Sequence, residues 1–156
     1  MGNLADRIEA YLKNVLEHTE QGFIILQRSV LAEEFSCAPS QINYVLDTRF
    51  TVERGYLVES RRGGGGYVRI VRLVLNPDGQ FQQIMRQLVG DKLTQDRAFG
   101  LIDRLWDEQL LTRRETAIMK SVFAQECLAG YVSDPDTLRA RMMKWILTTL
   151  CREDLG

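Results

Sequence analysis

The sequence has no long apolar segment, few cysteines and a single histidine, and each shortage excludes a class of protein. No apolar run approaches the roughly 18 residues of a membrane span. The chain starts with Asn3, Asp6 and Glu9 rather than with a basic and then an apolar segment, so we expect a cytosolic protein. The three cysteines are an odd number without a short-spaced pair, which indicates neither a disulfide framework nor a zinc site. His18 is far in sequence from any cysteine or carboxylate cluster, so we expect neither an enzyme nor a cofactor.

Net charge is also low, at −1, which on its own argues against a nucleic-acid ligand. The distribution of charge is more informative than the total. Residues 39–72 contain six arginines, no lysine and three acidic residues, a local surplus of three positive charges. Any nucleic-acid footprint is therefore expected to be local and built from arginine.

Four turn-forming residues, Asn76-Pro77-Asp78-Gly79, divide the chain. We predict an N-terminal domain at 1–75 and a second domain at 79–156. In the second half, apolar residues recur at helical spacing near 84–88, 101–106, 118–123 and 138–146. Four helices in so short a segment bury little surface alone, so this half is predicted to be an α-helical dimerisation domain of a homodimer.

The first half is predicted to contain three helices followed by a β-hairpin. Apolar spacing indicates a helix over Leu4–Glu17, a short second helix capped by Ser29 and a third that begins at Pro39. The segments 56–61 and 67–72 are rich in β-branched and aromatic residues and predict two strands. The predicted fold is mainly α with a small β-hairpin (α+β), a winged helix-turn-helix followed by the helical domain.

The third helix offers a polar face that suits DNA. Ile42, Val45 and Leu46 form its buried stripe, and its outward residues are short or carry amides that can read base edges. The candidate contacts are Ser40, Gln41, Asn43, Tyr44 and Thr48. The alternative is an ordinary solvated face.

Two arginines flank this helix-turn-helix. Arg28 lies just before the second helix and Arg49 at the end of the third, where both can hold phosphates. Arg49 could instead pair with Asp47 or Glu53.

The predicted hairpin tip is Arg61-Arg62-Gly63-Gly64-Gly65-Gly66-Tyr67. Glycines allow the backbone to approach a surface closely. The minor groove of B-DNA is only about 6 Å wide, and arginine side chains insert where it is narrow. The run therefore predicts a wing that contacts the minor groove, and the alternative is a solvent-exposed turn with two ordinary arginines. A nucleotide-binding loop is disfavoured because a strand, not a helix, follows the glycines.

Three runs in the first half closely resemble the CtsR family, repressors of class three heat-shock genes in low-GC Gram-positive bacteria. These runs are Pro39–Val45, Thr48–Tyr56 and Val58–Tyr67. The resemblance extends with lower identity through the second half, where Leu138–Met142 also matches.

The resemblance implies a transcriptional repressor with a winged helix-turn-helix and a C-terminal dimerisation domain. It implies binding to tandem-repeat operators of Clp protease and chaperone genes, and release on heating through the glycine-rich wing. It further implies phosphorylation by a protein arginine kinase with its activator, with Arg62 and Arg28 as candidate sites, and degradation by a Clp ATPase and protease. A winged-helix module that binds an acidic protein partner remains the alternative function.

Overall fold

A computed structural model describes residues 2–60, 66–74 and 85–155. Contacts divide the chain into two units, Met1–Leu75 together with Cys151–Gly156, and Asn76–Leu150. The predicted turn at 76–79 lies outside the described residues. The end of the chain departs from the predicted domain at 79–156, because Cys151–Gly156 group with the first unit, where Cys151 and Arg152 pair with Val74 and Leu73.

Three α-helices lie in the described part of the first unit. Helix α1 (Leu4–Glu17) begins at a capping box in which the side chains of Asn3 and Asp6 bond to each other's backbone N–H. Helices α2 (Arg28–Glu34) and α3 (Pro39–Arg49) follow. The predicted Ser29 cap is wrong, because a strand leads directly into α2 and the helix has already begun at Arg28.

That strand, β1 (Phe23–Gln27), was not predicted. It forms a three-stranded antiparallel sheet with β2 (Tyr56–Ser60) and β3 (Tyr67–Arg72), in the order β1-β3-β2. The expected mainly α fold with a small β element is confirmed, and the hairpin acquires a third strand. Gly55, with φ of 98°, lets the chain turn from a short 3₁₀ segment into β2, a conformation that other residues adopt only with strain.

The core of the first unit lies between the helices and one face of the sheet. Its fully buried side chains come from α1, α3 and β3, and include Ile8, Leu12, Leu16, Ile42, Val45, Val68 and Ile70. Burial of the predicted stripe on α3 is therefore confirmed. This packing fixes which face of α3 is left for a ligand.

All of the regular secondary structure in the described residues of the second unit is helical. A short π-helical segment (Met85–Val89) precedes α4 (Gln95–Asp107), α5 (Arg113–Phe123), the single turn α6 (Gln125–Leu128) and α7 (Pro135–Leu150). The last three of the four predicted helices are confirmed. The first predicted helix, near 84–88, is not fully covered, because residue 84 lies outside the described residues.

The core of this unit is separate from that of the first. It is formed by buried residues that include Val89, Leu93, Ala98, Ile102, Phe123, Ala140 and Met143.

Within the described ranges, no helix is long and apolar enough to cross a bilayer. The same residues contain no group of His, Cys, Asp and Glu arranged to hold a metal ion.

Candidate nucleic-acid interface

The exposed face of α3 is the first element of the site. Pro39 occupies the first turn, where its missing N–H has no intrahelical partner to lose. Burial of the apolar stripe directs the predicted contact residues outward, and all five are exposed: Ser40, Gln41, Asn43, Tyr44 and Thr48. Tyr44 is the most prominent apolar group there, with 57% of its surface exposed. The Thr48 hydroxyl donates to the Tyr44 carbonyl at 2.6 Å, so this hydroxyl is partly engaged by the helix itself.

Arg28 joins this face to the base of the hairpin. Its Nε donates to Asn43 Oδ1 at 2.6 Å, and its Nη2 donates to Ser60 Oγ at 2.8 Å. Its backbone N–H donates to the Gly66 carbonyl at 3.2 Å. Ser60 ends β2 and Gly66 immediately precedes β3, so one residue at the start of α2 bonds to α3 and to both strand ends of the hairpin.

These bonds leave Arg28 able to bind a further group. A guanidinium has five N–H donors. Within the described part of the chain, two of them are used by Asn43 and Ser60. The remaining donors can reach an anion while the side chain stays in place.

Arg49 has a different environment from the one predicted. Its Nη1 donates to Asp6 Oδ1 at 2.9 Å and to Glu9 Oε1 at 2.7 Å, so it links the end of α3 to α1. Hydrogen bonds from Lys13 and then from Arg49 lower the pKa of the Glu9 carboxyl, against the opposing effect of its burial. Two carboxylates compensate the charge of Arg49, which reduces its attraction for phosphate. The sequence analysis considered Asp47 and Glu53 as ion-pair partners of Arg49, because they are near it in the chain. The observed partners, Asp6 and Glu9, lie about 40 residues away.

Most of the predicted wing lies outside the described residues, namely Arg61, Arg62, Gly63, Gly64 and Gly65. Gly66 and Tyr67 are described, and both are exposed. Gly66 has φ of +81°, which a side chain would strain, and open space surrounds the position that a Cβ would occupy. Tyr67 has 43% of its surface exposed at the start of β3. The described base of the hairpin thus has one glycine in the left-handed region followed by an accessible aromatic ring.

The positive charge near the site is less available than the count of arginines indicates. Arg69 and Arg72 of β3 form ion pairs with Asp154 and Glu153, and Arg49 is paired as described above. Arg54 is exposed. Sequence alone could not separate arginines that stabilise the unit from those that can attract a polyanion.

Comparison with known families accounts for both halves of the chain. A family model described as the CtsR N-terminal HTH domain matches residues 3–74, and one described as the CtsR C-terminal dimerization domain matches residues 77–148. The chain belongs to the CtsR family. The resemblance recognised in the α3 and hairpin residues is therefore confirmed.

Individual CtsR proteins are similar over nearly their whole length. The transcriptional regulator CtsR of Geobacillus stearothermophilus is 44% identical over 150 residues, which is 96% of this chain and 98% of the relative. The Bacillus subtilis (strain 168) regulator is 43% identical over 148 residues, or 95% and 96% of the two chains. A crystal structure of CtsR in complex with a 26bp DNA duplex is similar with a TM-score of 0.50 and 44% identity, covering 95% of this chain and 98% of that chain. Relatives of this chain are therefore transcriptional regulators by name, and the structure of one CtsR is known in complex with a DNA duplex.

Proposed function

We propose that this protein is a DNA-binding transcriptional repressor that acts as a homodimer. The observation that carries the proposal is the exposed polar face of α3, which Arg28 joins directly to the hairpin. Helix α3 enters the major groove and the hairpin contacts the adjacent minor groove, as in winged helix-turn-helix proteins. A CtsR of 44% identity in complex with a DNA duplex supports the assignment of the ligand.

Gln41 and Asn43 are the base-reading residues in this proposal. Gln41 is exposed, and its amide can pair with adenine through one donor and one acceptor. The oxygen of Asn43 accepts from Arg28, which orients its NH₂ group for donation to an acceptor on a base edge. Ser40, Tyr44 and Thr48 complete the contact face. Arg28 holds a phosphate and positions Asn43 at the same time.

The hairpin completes the interface. We assign Arg61 and Arg62 to the minor groove, with residues 63–66 allowing the backbone to approach and Tyr67 contacting the sugar-phosphate backbone. Four consecutive glycines carry a high entropy cost when ordered, so warming favours release of this segment from DNA. Phosphorylation of Arg62 or Arg28 would replace positive by negative charge at the duplex and weaken binding.

Dimerisation is assigned to the second unit, which matches the family's dimerization domain. Several of its large apolar side chains are exposed in the single chain: Trp106, Leu110, Ile118, Val122, Tyr131 and Trp145. Exposed apolar groups of this kind are typical of surfaces that a second subunit covers. A dimer that binds repeated half-sites in promoters of Clp protease and chaperone genes would act in the cytoplasm.

The proposal is tested by selecting bound duplexes from a random pool and measuring their affinity by gel shift. The intact protein is expected to bind the selected duplex more tightly than a random one. Log affinity should fall with log salt by about 0.9 per phosphate contacted. Equal affinity for selected and random duplexes, or no effect of salt, would refute DNA recognition and favour the protein-interaction module.

The role of α3 is tested by Gln41→Ala, with Gln87→Ala as the control on an exposed glutamine of the second unit. Loss of a bidentate base contact is worth about 1–3 kcal/mol, so affinity for the selected duplex should fall at least fivefold. Affinity for random duplexes should change little, because phosphate contacts remain. An equal loss on both duplexes would argue that Gln41 does not read a base.

A further inference from the structure

Residues Cys151–Leu155, which we name the strap, lie along the sheet of the first unit. The Val74 N–H donates to the Cys151 carbonyl at 2.6 Å, and Leu73 and Arg152 form an antiparallel bridge. The strap therefore pairs with the chain directly after β3. Its last three residues form a short 3₁₀ turn.

The strap forms ion pairs with both members of one cross-strand pair in the sheet. Glu59 of β2 lies opposite Arg69 of β3 in the sheet register. Arg152 Nη2 is 2.7 Å from Glu59 Oε1, and Asp154 Oδ2 is 3.7 Å from Arg69 Nη1. Glu59 and Arg69 are one position from the Ser60 and Val68 pair, the last in that register before the hairpin loop. The strap thus forms an ion pair with each of the two strands near the base of the proposed wing, and among the described residues Glu59 Oε1 has no hydrogen-bond partner in addition to this ion pair.

The strap's own charged side chains are more buried than their partners on the sheet. Side-chain exposure is 4% for Asp154 and 15% for Arg152, against 25% for Arg69 and 42% for Glu59, so solvent and salt screen the pair with Glu59 more than the pair with Arg69. Arg152 and Asp154 are also joined by two hydrogen bonds, at 2.9 and 2.7 Å. The Arg69 guanidinium lies 4.5 Å from the centre of the Phe23 ring, which extends the network to β1.

The fit of the strap also depends on Gly22, just before β1. A Cβ at this position would lie 2.7 Å from Glu153 Cβ and 3.2 Å from the Glu153 carbonyl carbon. Glu153 in turn forms an ion pair with Arg72 of β3. The strap therefore packs against the sheet at a distance that only a glycine permits.

We propose that the strap is a positioning element for DNA binding, in which Arg152 and Asp154 fix the hairpin that presents the wing. This inference rests on the proposed function, since it concerns the same hairpin. Strand β2 is an edge strand whose only strand partner in the described sheet is β3, so the ion pair from the strap to Glu59 adds a contact that the sheet itself does not provide. The strap follows α7 directly in the chain.

The test compares Arg152→Gln and Asp154→Asn with Arg141→Gln, a control at an exposed arginine of α7, all in the full chain. We expect each strap variant to lose affinity for the selected duplex by a factor of up to about five, because an ion pair with a partly exposed partner contributes at most about 1 kcal/mol to ordering the hairpin. The control should bind as the wild type does. Hydrogen exchange of the amides in β2 and β3 should become faster in the strap variants without DNA present.

A double variant separates positioning from general destabilisation. If Arg152 acts through Glu59, then Glu59→Gln combined with Arg152→Gln should lose no more affinity than the larger single loss. Losses that multiply would overturn the pathway through Glu59. Unchanged affinity and exchange in both single variants would overturn the strap's role, and tighter binding would show instead that its carboxylates inhibit. If the wild type binds no duplex, the proposed function fails, while the exchange result still decides whether the strap orders the hairpin.

Discussion

Substitution of Arg139 by lysine should destabilise the second unit although the charge is conserved. The Arg139 side chain is 1% exposed. Its Nε donates to the Phe123 carbonyl at 2.7 Å, its Nη1 to Asp136 at 2.6 Å and its Nη2 to Gln125 at 2.7 Å. One planar group thereby joins the end of α5, the turn α6 and the start of α7.

The expected magnitude follows from these contacts. A lysine has one nitrogen, which cannot reach three acceptors that surround a guanidinium from different sides. Each hydrogen bond to a charged group contributes about 1.5–3 kcal/mol. The bond to Asp136 counts for less, because that side chain is 39% exposed and solvent screens it. Loss of one full bond and part of another gives about 3 kcal/mol of unfolding free energy.

The assay is urea denaturation followed by circular dichroism, with calorimetry as a second measurement. About 3 kcal/mol corresponds to a fall of about 10–20 °C in Tm for a domain of this size. Arg141→Lys on the exposed side of the same helix is the control and should change stability by less than about 0.5 kcal/mol. If Arg139→Lys is as stable as the control, the three bonds do not contribute as argued.

Three further predictions concern the helices. Ile42→Ala removes a fully buried side chain of α3 and should cost about 3 kcal/mol of unfolding free energy in a urea titration; a cost below about 1 kcal/mol would contradict its place in the core. Thr112→Ala removes the cap of α5 and should cost about 1 kcal/mol in the same assay; an unchanged midpoint would show that the cap is dispensable. Because the pKa of Glu9 is lowered below its usual 4.5, its contribution to stability is present above that pH and is lost as the pH falls through the lowered value. Lys13 contributes most to this lowering of the pKa and Arg49 contributes less. The urea midpoints of wild type and Arg49→Gln should therefore differ at pH 7 and converge at low pH, and a constant difference would refute the ion pair between Arg49 and Glu9.

Sequence patterns predicted the elements whose signals are local. The period of Ile42, Val45 and Leu46 gave the buried side of α3, and the opposite side followed from helix geometry alone. Strand β1 has no alternation of polar and apolar residues, and its pairing partners lie 40 to 48 residues away. Its assignment as a strand depends on that partner, which a local pattern does not contain.

Long-range ion pairs were the other feature that sequence patterns did not predict. Arg49 meets Asp6 and Glu9, and Arg152 meets Glu59, at separations of about 40 to 90 residues. Charges of opposite sign are frequent in the chain, so sequence proximity is a poor guide to the partner that folding provides. For the same reason the local count of arginines overstated the positive charge left near α3.

The position of Arg28 has a consequence for how base changes combine. Its bonds to Asn43, Ser60 and Gly66 make the α3 face and the hairpin base parts of one hydrogen-bonded unit. Mismatches at well-separated operator positions usually add in free energy. If Asn43 reads a base as proposed, a mismatch beneath it would disturb Arg28, which also bonds to the base of the hairpin. Part of the proposed minor-groove contact would then already be lost. Base changes made together in the two grooves should consequently cost less binding free energy than the sum of the single changes. A binding matrix that treats operator positions as independent would therefore underestimate the affinity for doubly altered operators.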